Sequence, residues 1–515
     1  MDPIENNKMK IAIIGGGISG MSCAYLLSMG GHEVTVYEKG NYLGGHTNTV
    51  DVKFQEETVK IDTGFLVYTP QKYPNLMTLF KKLGIQNGVS DMSFGYSLNA
   101  RPSIEKKQEM EVVKSEVADG NKKTFRREVE WCSDNLSTIF AQWQNIFRPS
   151  FWRLLIDLYR FSKEGPLIVT QLDKYEKMSV RQYCEVNGYS RAFIDYYLIP
   201  VASAVWSTSF KEIDSFPIVT LARFFSNHHL FKIVNRPQWS SVQGGSYQYM
   251  DRIREFLEAN GSRVLLDNGA TKIQRPKDQE HVFVTDKNNV TTKYDKIVFA
   301  CHAPDIFPML PDMTHPERKV LRSFNFTHHK AYLHSDPSLM PKRRNTWSSW
   351  NYIYDDYSLT DNKLCCTYWL NRIQPWVDAK KYPLYLTLNP VFEPKAELLH
   401  RVIEYDHPLI NPESDKARTR IPQIQGIRNT FYCGAYIGYG FHEDGITSGL
   451  LAAQLIDPKL NKLWKVDTTR YLDDIPEQKQ SSTISNLLKI TAVSMSLYFI
   501  FNHSNFIFKL KYNSN

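Results

Sequence analysis

The stretch "KIAIIGGGISGMSCAYLL", Lys10 to Leu27, leaves this chain few folds to choose from. An apolar run typical of a buried parallel strand meets Gly15, Gly17 and Gly20 in G-x-G-x-x-G spacing, then continues into a helical pattern with the small Ala24. Each glycine answers a separate steric demand. Gly15 permits a tight turn, Gly17 lets the backbone approach a pyrophosphate, and Gly20 allows helix and strand to touch. Phosphates placed there, with Ser19 in the first turn, face the positive end of the helix dipole. A second strand pattern, "HEVTVYEKG", carries Glu38 and Lys39 near its end, with Glu38 eighteen residues after Gly20. A carboxylate at that distance binds both ribose hydroxyls and repels a 2′-phosphate, which disfavours NADP. A methyltransferase also combines a glycine turn with a ribose-binding acid, so these two features alone do not establish a dinucleotide.

After Glu38 the chain runs through "KGNYLGGHTNTV" and "VKIDTGFLVYTP", where an NAD dehydrogenase would supply another helix and parallel strand. Gly44 and Gly45 let the backbone pass close to a ligand. Some four hundred residues later "TFYCGAYIGYGFHEDGITSGLLAAQ" repeats the order of strand, glycine-and-aromatic turn, and helix. A second such junction suits the far end of one long ligand.

These segments resemble the amine-oxidase-like flavoprotein superfamily. The resemblance implies an α/β fold, a Rossmann-like FAD-binding domain of the amine-oxidase/glutathione-reductase type with an intergrown α+β substrate domain. It implies FAD as cofactor, with Glu38 on the adenosine ribose and Gly45 along the pyrophosphate. His46 stands beside phosphate where most members carry arginine, a stronger fixed charge. The backbone of Ala270, in "SRVLLDNGATKI", would meet the adenine, and "YDKIVFACHAP" would close that unit. Gly434 and Ala435 would pass the ribityl or phosphate, and Gly445 with Ile446 would begin a helix aimed at the flavin pyrimidine edge. On this reading residues 9–75, 235–304 and 425–460 form a discontinuous FAD-binding domain. Residues 76–234 and 305–424 form the substrate domain, and 465–515 a linker and apolar tail.

A narrower resemblance rests on "IDTGFLVYTP", "YLIPVASAVWS", "RFFSNHHLF", "VQGGSYQYM", "WSSWNYIY", "YWLNRIQ", "LYLTLNP" and "FYCGAYIGYGFHEDG", in order over residues 10–455. These are similar to FAD-dependent oxidoreductases encoded beside, or fused ahead of, cyclopropane fatty acid synthases in bacteria and plants. The resemblance implies a small hydrophobic substrate, with fatty-acyl or other lipid chains as candidates, and a lipid-modifying enzyme as a partner.

Residues 76–234 are rich in helical patterns, and 305–424 in aromatics and strand-like alternation. Trp206, Trp350, Tyr352, Trp369, Tyr436 and Tyr439 are candidate pocket walls, since ligand sites favour such domain interfaces. Flavin chemistry asks the protein chiefly to orient the donor and exclude water. Many amine oxidases add a lysine near flavin N5, but the matching strand "HHKAYLHSD" offers His334 at that position, with Lys330 on another part of the strand. This favours hydride removal from a C–H centre, with His334 and His442 as candidate proton relays. The adjacent His442, Glu443 and Asp444 invite a metal, yet consecutive turn residues rarely converge on one ion, so no metal is expected. Two other readings stay open: an amine oxidase releasing hydrogen peroxide, and a non-catalytic flavin-stabilised scaffold for a lipid-modifying enzyme.

Composition narrows the setting. Net charge is +8 over 515 residues with no dense Lys/Arg block, which argues against nucleic acid. Seven scattered cysteines without a C-x-x-C pair suit the reduced thiols of an intracellular protein. The opening "MDPIENNKMK" lacks the apolar core of a signal peptide. The charged stretch 107–128 reads as a surface loop or hairpin. After "DDIPEQKQSSTIS" comes an apolar run from Ile490 to Phe501, twelve residues where a bilayer span needs about 20. A tail anchor, an interfacial helix or a docked terminal helix all fit, so the chain is expected to be cytoplasmic or held at a membrane by its tail.

Overall fold

Ile11, Ala12, Ile13 and Ile14 are apolar without alternation because their strand is covered on both faces. Ile11 and Ile13 enter one hydrophobic cluster, and Ala12 and Ile14 enter another. This strand, β1 (Lys10–Ile14), centres a five-stranded parallel sheet with β2 (Glu33–Tyr37), β3 (Arg263–Leu265), β4 (Lys296–Phe299) and β5 (Thr430–Tyr432). The spatial order is β5-β4-β1-β2-β3, so strands from three distant parts of the chain lie side by side. This is the Rossmann-like sheet of the α/β fold expected from the sequence. The computed structural model describes residues 8–98, 128–206, 210–233, 236–277, 280–354, 365–390 and 392–468.

Five helices frame the site: α1 (Ile18–Met29), α2 (Pro74–Leu83), α3 (Pro149–Thr170), α4 (Ile218–Asn227) and α5 (His442–Ile456). Helix α1 is buried along nearly its whole length because α5 lies directly on it. Small residues allow this contact. A Cβ on Gly449 would stand 2.1 Å from the carbonyl oxygen of Ser19.

A second sheet has seven strands in the order Leu399–Pro408, Phe326–His334, Tyr385–Leu388, Cys365–Trp369, Trp350–Tyr354, Phe94–Leu98 and Val129–Cys132. The last two come from the segment expected to be helical, which therefore completes the sheet as well as capping it. Helices α3 and α4 pack over it in the largest core, where Phe161 meets Phe193 and Phe225 at 5.4 and 6.0 Å between ring centres. Both sheets belong to one compact unit, Met1–Asp473. None of the seven cysteines, all of them among the described residues, forms a disulfide. Among the described residues no helix is long and apolar enough to cross a membrane. The charged stretch at 107–127 and the tail at 469–515 lie outside the described residues, as does the side chain of Trp206.

Candidate active site

The glycines of the first turn build a cradle. Gly15 takes φ +114°, and a Cβ there would sit 2.9 Å from the Ala300 carbonyl carbon at the end of β4. A Cβ on Gly20 would fall 2.0 Å from the Gly15 carbonyl oxygen, so helix and turn are in direct contact. Gly17, which caps α1, is different: its missing side chain faces open space, the nearest atom being the Gly44 carbonyl oxygen at 4.0 Å. The Gly44 N–H donates to the Gly16 carbonyl at 2.8 Å and ties the second glycine pair to the first turn. Ser19 lines the same space from the first turn of α1.

At the outer end, Glu38 accepts the Gly16 N–H on one oxygen and the Gly40 N–H on the other, both at 2.7 Å. The carboxylate is thereby held in place, and each oxygen keeps a lone pair for a ribose hydroxyl. The backbone N–H of Asn268 donates to the Glu38 carbonyl at 2.9 Å, which brings the strand beginning at Ala270 beside it. Lys39 turns outward to Asp305 at 3.0 Å.

Inward of the cradle a cavity of about 330 Å³ runs from Gly17–Ser19, Gly44–His46 and Gly434–Tyr436 toward Trp350, Tyr368, Leu386 and Leu388 of the second sheet and Phe224 and His228 of the helical cap. Glu38, Lys39 and Ala270 lie beyond its walls. No lysine, arginine or glutamate lines it among the described residues, and Asp406 is the one carboxylate. Trp350, Tyr436 and Tyr439 stand in its wall, and so does His442, the candidate proton relay.

Four expectations are corrected. Tyr352 shares a strand with Trp350 but lies further along, fully buried and stacked on Tyr96 at 5.7 Å, so it is core. Trp369 neighbours the lining residue Tyr368; the strand's alternation sends it to the opposite side, where it meets Trp347 at 5.6 Å. His334 is buried away from the cavity. One ring nitrogen bonds Thr387 Oγ1 at 2.8 Å and the other accepts the Asp336 N–H at 3.1 Å, so both are committed to structure. Burial lowers its pKa to about 4. Lys330 is exposed. Finally, α5 begins at His442, not at Gly445. The Gly445 N–H is already spent on Phe441 at 3.0 Å, and Gly445 and Ile446 pack beside α1. The end of α5 that meets the cavity is Phe441 and His442.

The "HED" triplet diverges. His442 stacks on Phe65 at 3.8 Å and bonds Tyr249 Oη at 2.6 Å, which in turn meets Thr47 Oγ1 at 2.7 Å. Glu443 accepts the N–H groups of Asn75 and Leu76 at the start of α2, at 2.8 and 3.0 Å. Asp444 accepts those of Tyr439 and Phe441 at 3.0 and 2.9 Å. Both carboxylates thus serve backbone amides.

Beside the glycine cradle sits a group that no sequence motif assembles. His46 stacks on Tyr405 at 4.9 Å and meets His407 in a tilted pair at 5.2 Å, and His407 meets His329 at 5.1 Å. His302, just past the end of β4, and Asp406 complete the cluster. Burial, then the neighbouring His302, depress the His46 pKa to about 4. Burial and three other histidines hold His407 well below the usual imidazole range. His442 falls to about 3, by burial first and then His46. His46, His302, His407 and His442 are therefore neutral near pH 7. His46 Nε2, His407 Nδ1 and Tyr436 Oη are buried without a hydrogen-bond partner, an arrangement proteins rarely leave. Together with the open face of Gly17, these groups fit the polar middle of a dinucleotide.

Residues 18–457 match the family described as flavin containing amine oxidoreductase. The chain belongs to this family. It is an FAD-dependent oxidoreductase. Among curated relatives, a 15-cis-phytoene desaturase of Synechococcus elongatus is 38% identical over 79 residues, which cover 15% of this chain and 16% of the relative. The chain thus matches less than a fifth of that relative's length. A putrescine oxidase variant superposes with a TM-score of 0.59 at 13% identity, over 88% of this chain and 99% of the other. A fatty acid isomerase from P. acnes gives 0.55 at 12% identity, over 88% and 99%. At these identities the likeness to the solved structures is one of fold.

Proposed function

We propose that this oxidoreductase removes hydride from a C–H centre of a small hydrophobic substrate, with a fatty-acyl or related lipid chain as the substrate class. The observation that carries the reading is the cavity wall. Leu66, Val67, Met92, Phe224, Trp350, Leu386 and Leu388 face a space that no lysine, arginine or glutamate enters among the described residues. Such a wall rewards burial of an alkyl chain by about 0.8 kcal/mol per methylene and offers a charged headgroup little. The desaturase relative, over its short match, and the resemblance to oxidoreductases encoded beside cyclopropane fatty acid synthases support the same class. That resemblance also supports a lipid-modifying enzyme as partner.

Gly17, Ser19, Gly45, His46, Gly434 and Ala435 would hold FAD along its middle, with Glu38 on the ribose and the Ala270 backbone at the adenine. When bound, FAD supplies a two-electron acceptor that takes hydride at N5. The chain itself supplies exclusion of water by the aromatic wall and orientation by fixed rings. His442, clamped between Phe65 and Tyr249, is too weak a base at neutral pH to abstract a proton, so its contribution is a fixed hydrogen-bonding position.

The test is anaerobic bleaching of the flavin by octadecanoyl chains presented as free acid, thioester and phospholipid, against a panel of primary amines. The reading expects bleaching by an acyl substrate with a product two mass units lighter. Bleaching by an amine with peroxide release in air would replace it with amine oxidation. Flavin that photoreduces normally, yet is bleached by no compound of either class, would favour a scaffold.

A further inference from the structure

The helical cap turns an apolar face outward. Between Asp134 and Asp157 the chain has no acidic residue, and its only charges are Arg148 and Arg153. Within this stretch Leu136, Trp143 and Phe147 are 72%, 63% and 73% exposed, and Ile146, Trp152 and Ile156 are also exposed. The aromatic members are linked to neighbours within the stretch. Trp143 contacts Phe147 at 6.0 Å, Trp152 contacts Phe140 at 5.4 Å, and the Trp152 indole N–H donates to the Ile146 carbonyl at 2.8 Å. With ~150–250 Å² per aromatic side chain, the six leave on the order of 600 Å² of apolar surface in water, the top of the range for ordinary monomers. Packing in the interior does not explain it: the inner face of α3 is filled by Phe151, Leu154 and Phe161, which belong to the core.

We propose that this face, Leu136 to Ile156, docks on an anionic lipid bilayer. Three features favour a bilayer over a protein. Tryptophan and phenylalanine at the tip of a helical junction suit the headgroup boundary, where one edge of the ring is apolar and the other wet. The charges beside the patch are net positive: Arg148 donates to the Glu128 carbonyl and Asn145 Oδ1, neither of them a carboxylate, and the buried Asp157 is shared between Arg153 and Arg160, which complements anionic headgroups. The anchor is also stiffly mounted, since α3 carries the patch outside while its inner face shares a core with Phe224, Tyr368, Leu386 and Leu388 of the cavity wall. Docking would place the cavity's apolar wall one helix away from the membrane, a supply of alkyl chains. The inference does not depend on the substrate reading, and its test contains no turnover.

The experiment uses the full chain loaded with FAD. Flotation is measured with phosphatidylcholine vesicles containing one-third phosphatidylglycerol, for the wild type and for Trp143→Ser combined with Phe147→Ser. Both positions are exposed, so flavin content and Tm should hold. The partition coefficient should fall tenfold or more in the double variant, and Arg153→Gln, which leaves Arg160 on the buried Asp157, should hold Tm and weaken binding only when phosphatidylglycerol is present. In vesicles of brominated phosphatidylcholine, Trp143→Phe should keep binding yet lose part of the tryptophan quenching seen in the wild type. Three results would overturn the proposal. The wild type fails to float, or it floats equally well with both serines. The third is a wild-type dimer, without vesicles, that the serine pair converts to monomer, which would make the face a contact between two copies.

Discussion

If the FAD phosphates lie beside His46, FAD binding should be coupled to proton uptake. Its ring lies beside the glycine cradle, faced by His302 past β4, by Tyr405, Asp406 and His407 on the strand Leu399–Pro408, and by His442 of α5; His329 lies behind His407. With the cradle empty, burial depresses its pKa from 6.5 to about 4. Two phosphate charges placed beside it act in the opposite direction and favour the imidazolium. The sign follows from linkage. A group whose pKa is higher in the complex takes up a proton on binding, so affinity is greatest at low pH and declines as pH rises toward the pKa of the complex. If phosphate only restores the ordinary 6.5, affinity falls about 20-fold between pH 5 and pH 7, and more if it raises the pKa further. Calorimetric titration of apoprotein with FAD at pH 5.5, in buffers of different ionisation enthalpy, should then show uptake of about 0.9 proton. His46→Gln keeps a donor but cannot titrate, and its affinity should be flat with pH to within about twofold. Equal pH slopes for wild type and His46→Gln would refute the argument. So would a slope that survives in His46→Gln and vanishes in His302→Gln.

The two turn glycines should fail in opposite ways. Gly17→Ala, at an ordinary φ of −72° with its Cβ in open space, should leave Tm of the apoprotein almost unchanged while weakening FAD binding at least 100-fold; Gly20→Ala, whose Cβ would meet a carbonyl oxygen at 2.0 Å, should cost about 3 kcal/mol in urea unfolding. Apoprotein should lose stability on acidification, because His46 and His442 stay neutral in the fold to about 4 and 3 while the unfolded chain protonates near 6.5. Each should remove about 2 kcal/mol between pH 7 and pH 5, read as a fall in Tm. Glu443→Ala should cost about 2 kcal/mol by stranding the Asn75 and Leu76 N–H groups, and added divalent metal should change neither Tm nor FAD affinity of the parent chain. Arg275→Leu should cost about 3–5 kcal/mol, since it leaves the buried Glu317 without the guanidinium that donates to it at 2.6 Å.

What could be read from the sequence divides along a physical line. Gly15 and Gly20 were legible because their demands are local: a positive φ, and a Cβ that would strike a carbonyl. The same holds for β5 and its turn, where a short apolar run meets glycines. Tyr368 and Trp369 mark the boundary of that method. Adjacent aromatics on one strand must point to opposite faces, but which of them meets the cavity depends on the pleat of a sheet whose seven strands come from two distant parts of the chain. His334 was placed by matching strands, and a register shift at Leu333/His334 against the neighbouring strand is a change no matching of sequence detects. Trp143 and Phe147 show the same limit from outside, for a helical pattern does not say which apolar residues face water, and the inner face of α3 is filled by others.

The histidine cluster is the clearest case. His46, His302 and His407 are separated by more than a hundred residues at each step, and none sits in a motif that names the others. They meet because β4 runs parallel to β1, so that His302 emerges at the same sheet edge as the glycine turn. They meet also because the strand Leu399–Pro408 ends its pairing with Phe326–His334 at that edge. The cluster is a product of strand order. The same geometry bears on the expectation that His46 stands beside phosphate in place of an arginine. An arginine at position 46 would be charged in the empty site, among His302, His407 and His442, with Asp406 as the one carboxylate of the cavity wall. An imidazole there can stay neutral, and would gain its charge only if phosphate were placed beside it. That trade predicts a measurable asymmetry: His46→Arg should destabilise the apoprotein more than the FAD-loaded protein. Thermal unfolding with and without saturating FAD should therefore show a larger ligand-induced rise in Tm for the arginine variant than for the wild type, and an equal or smaller rise would mean that the buried cluster does not control the charge at this position.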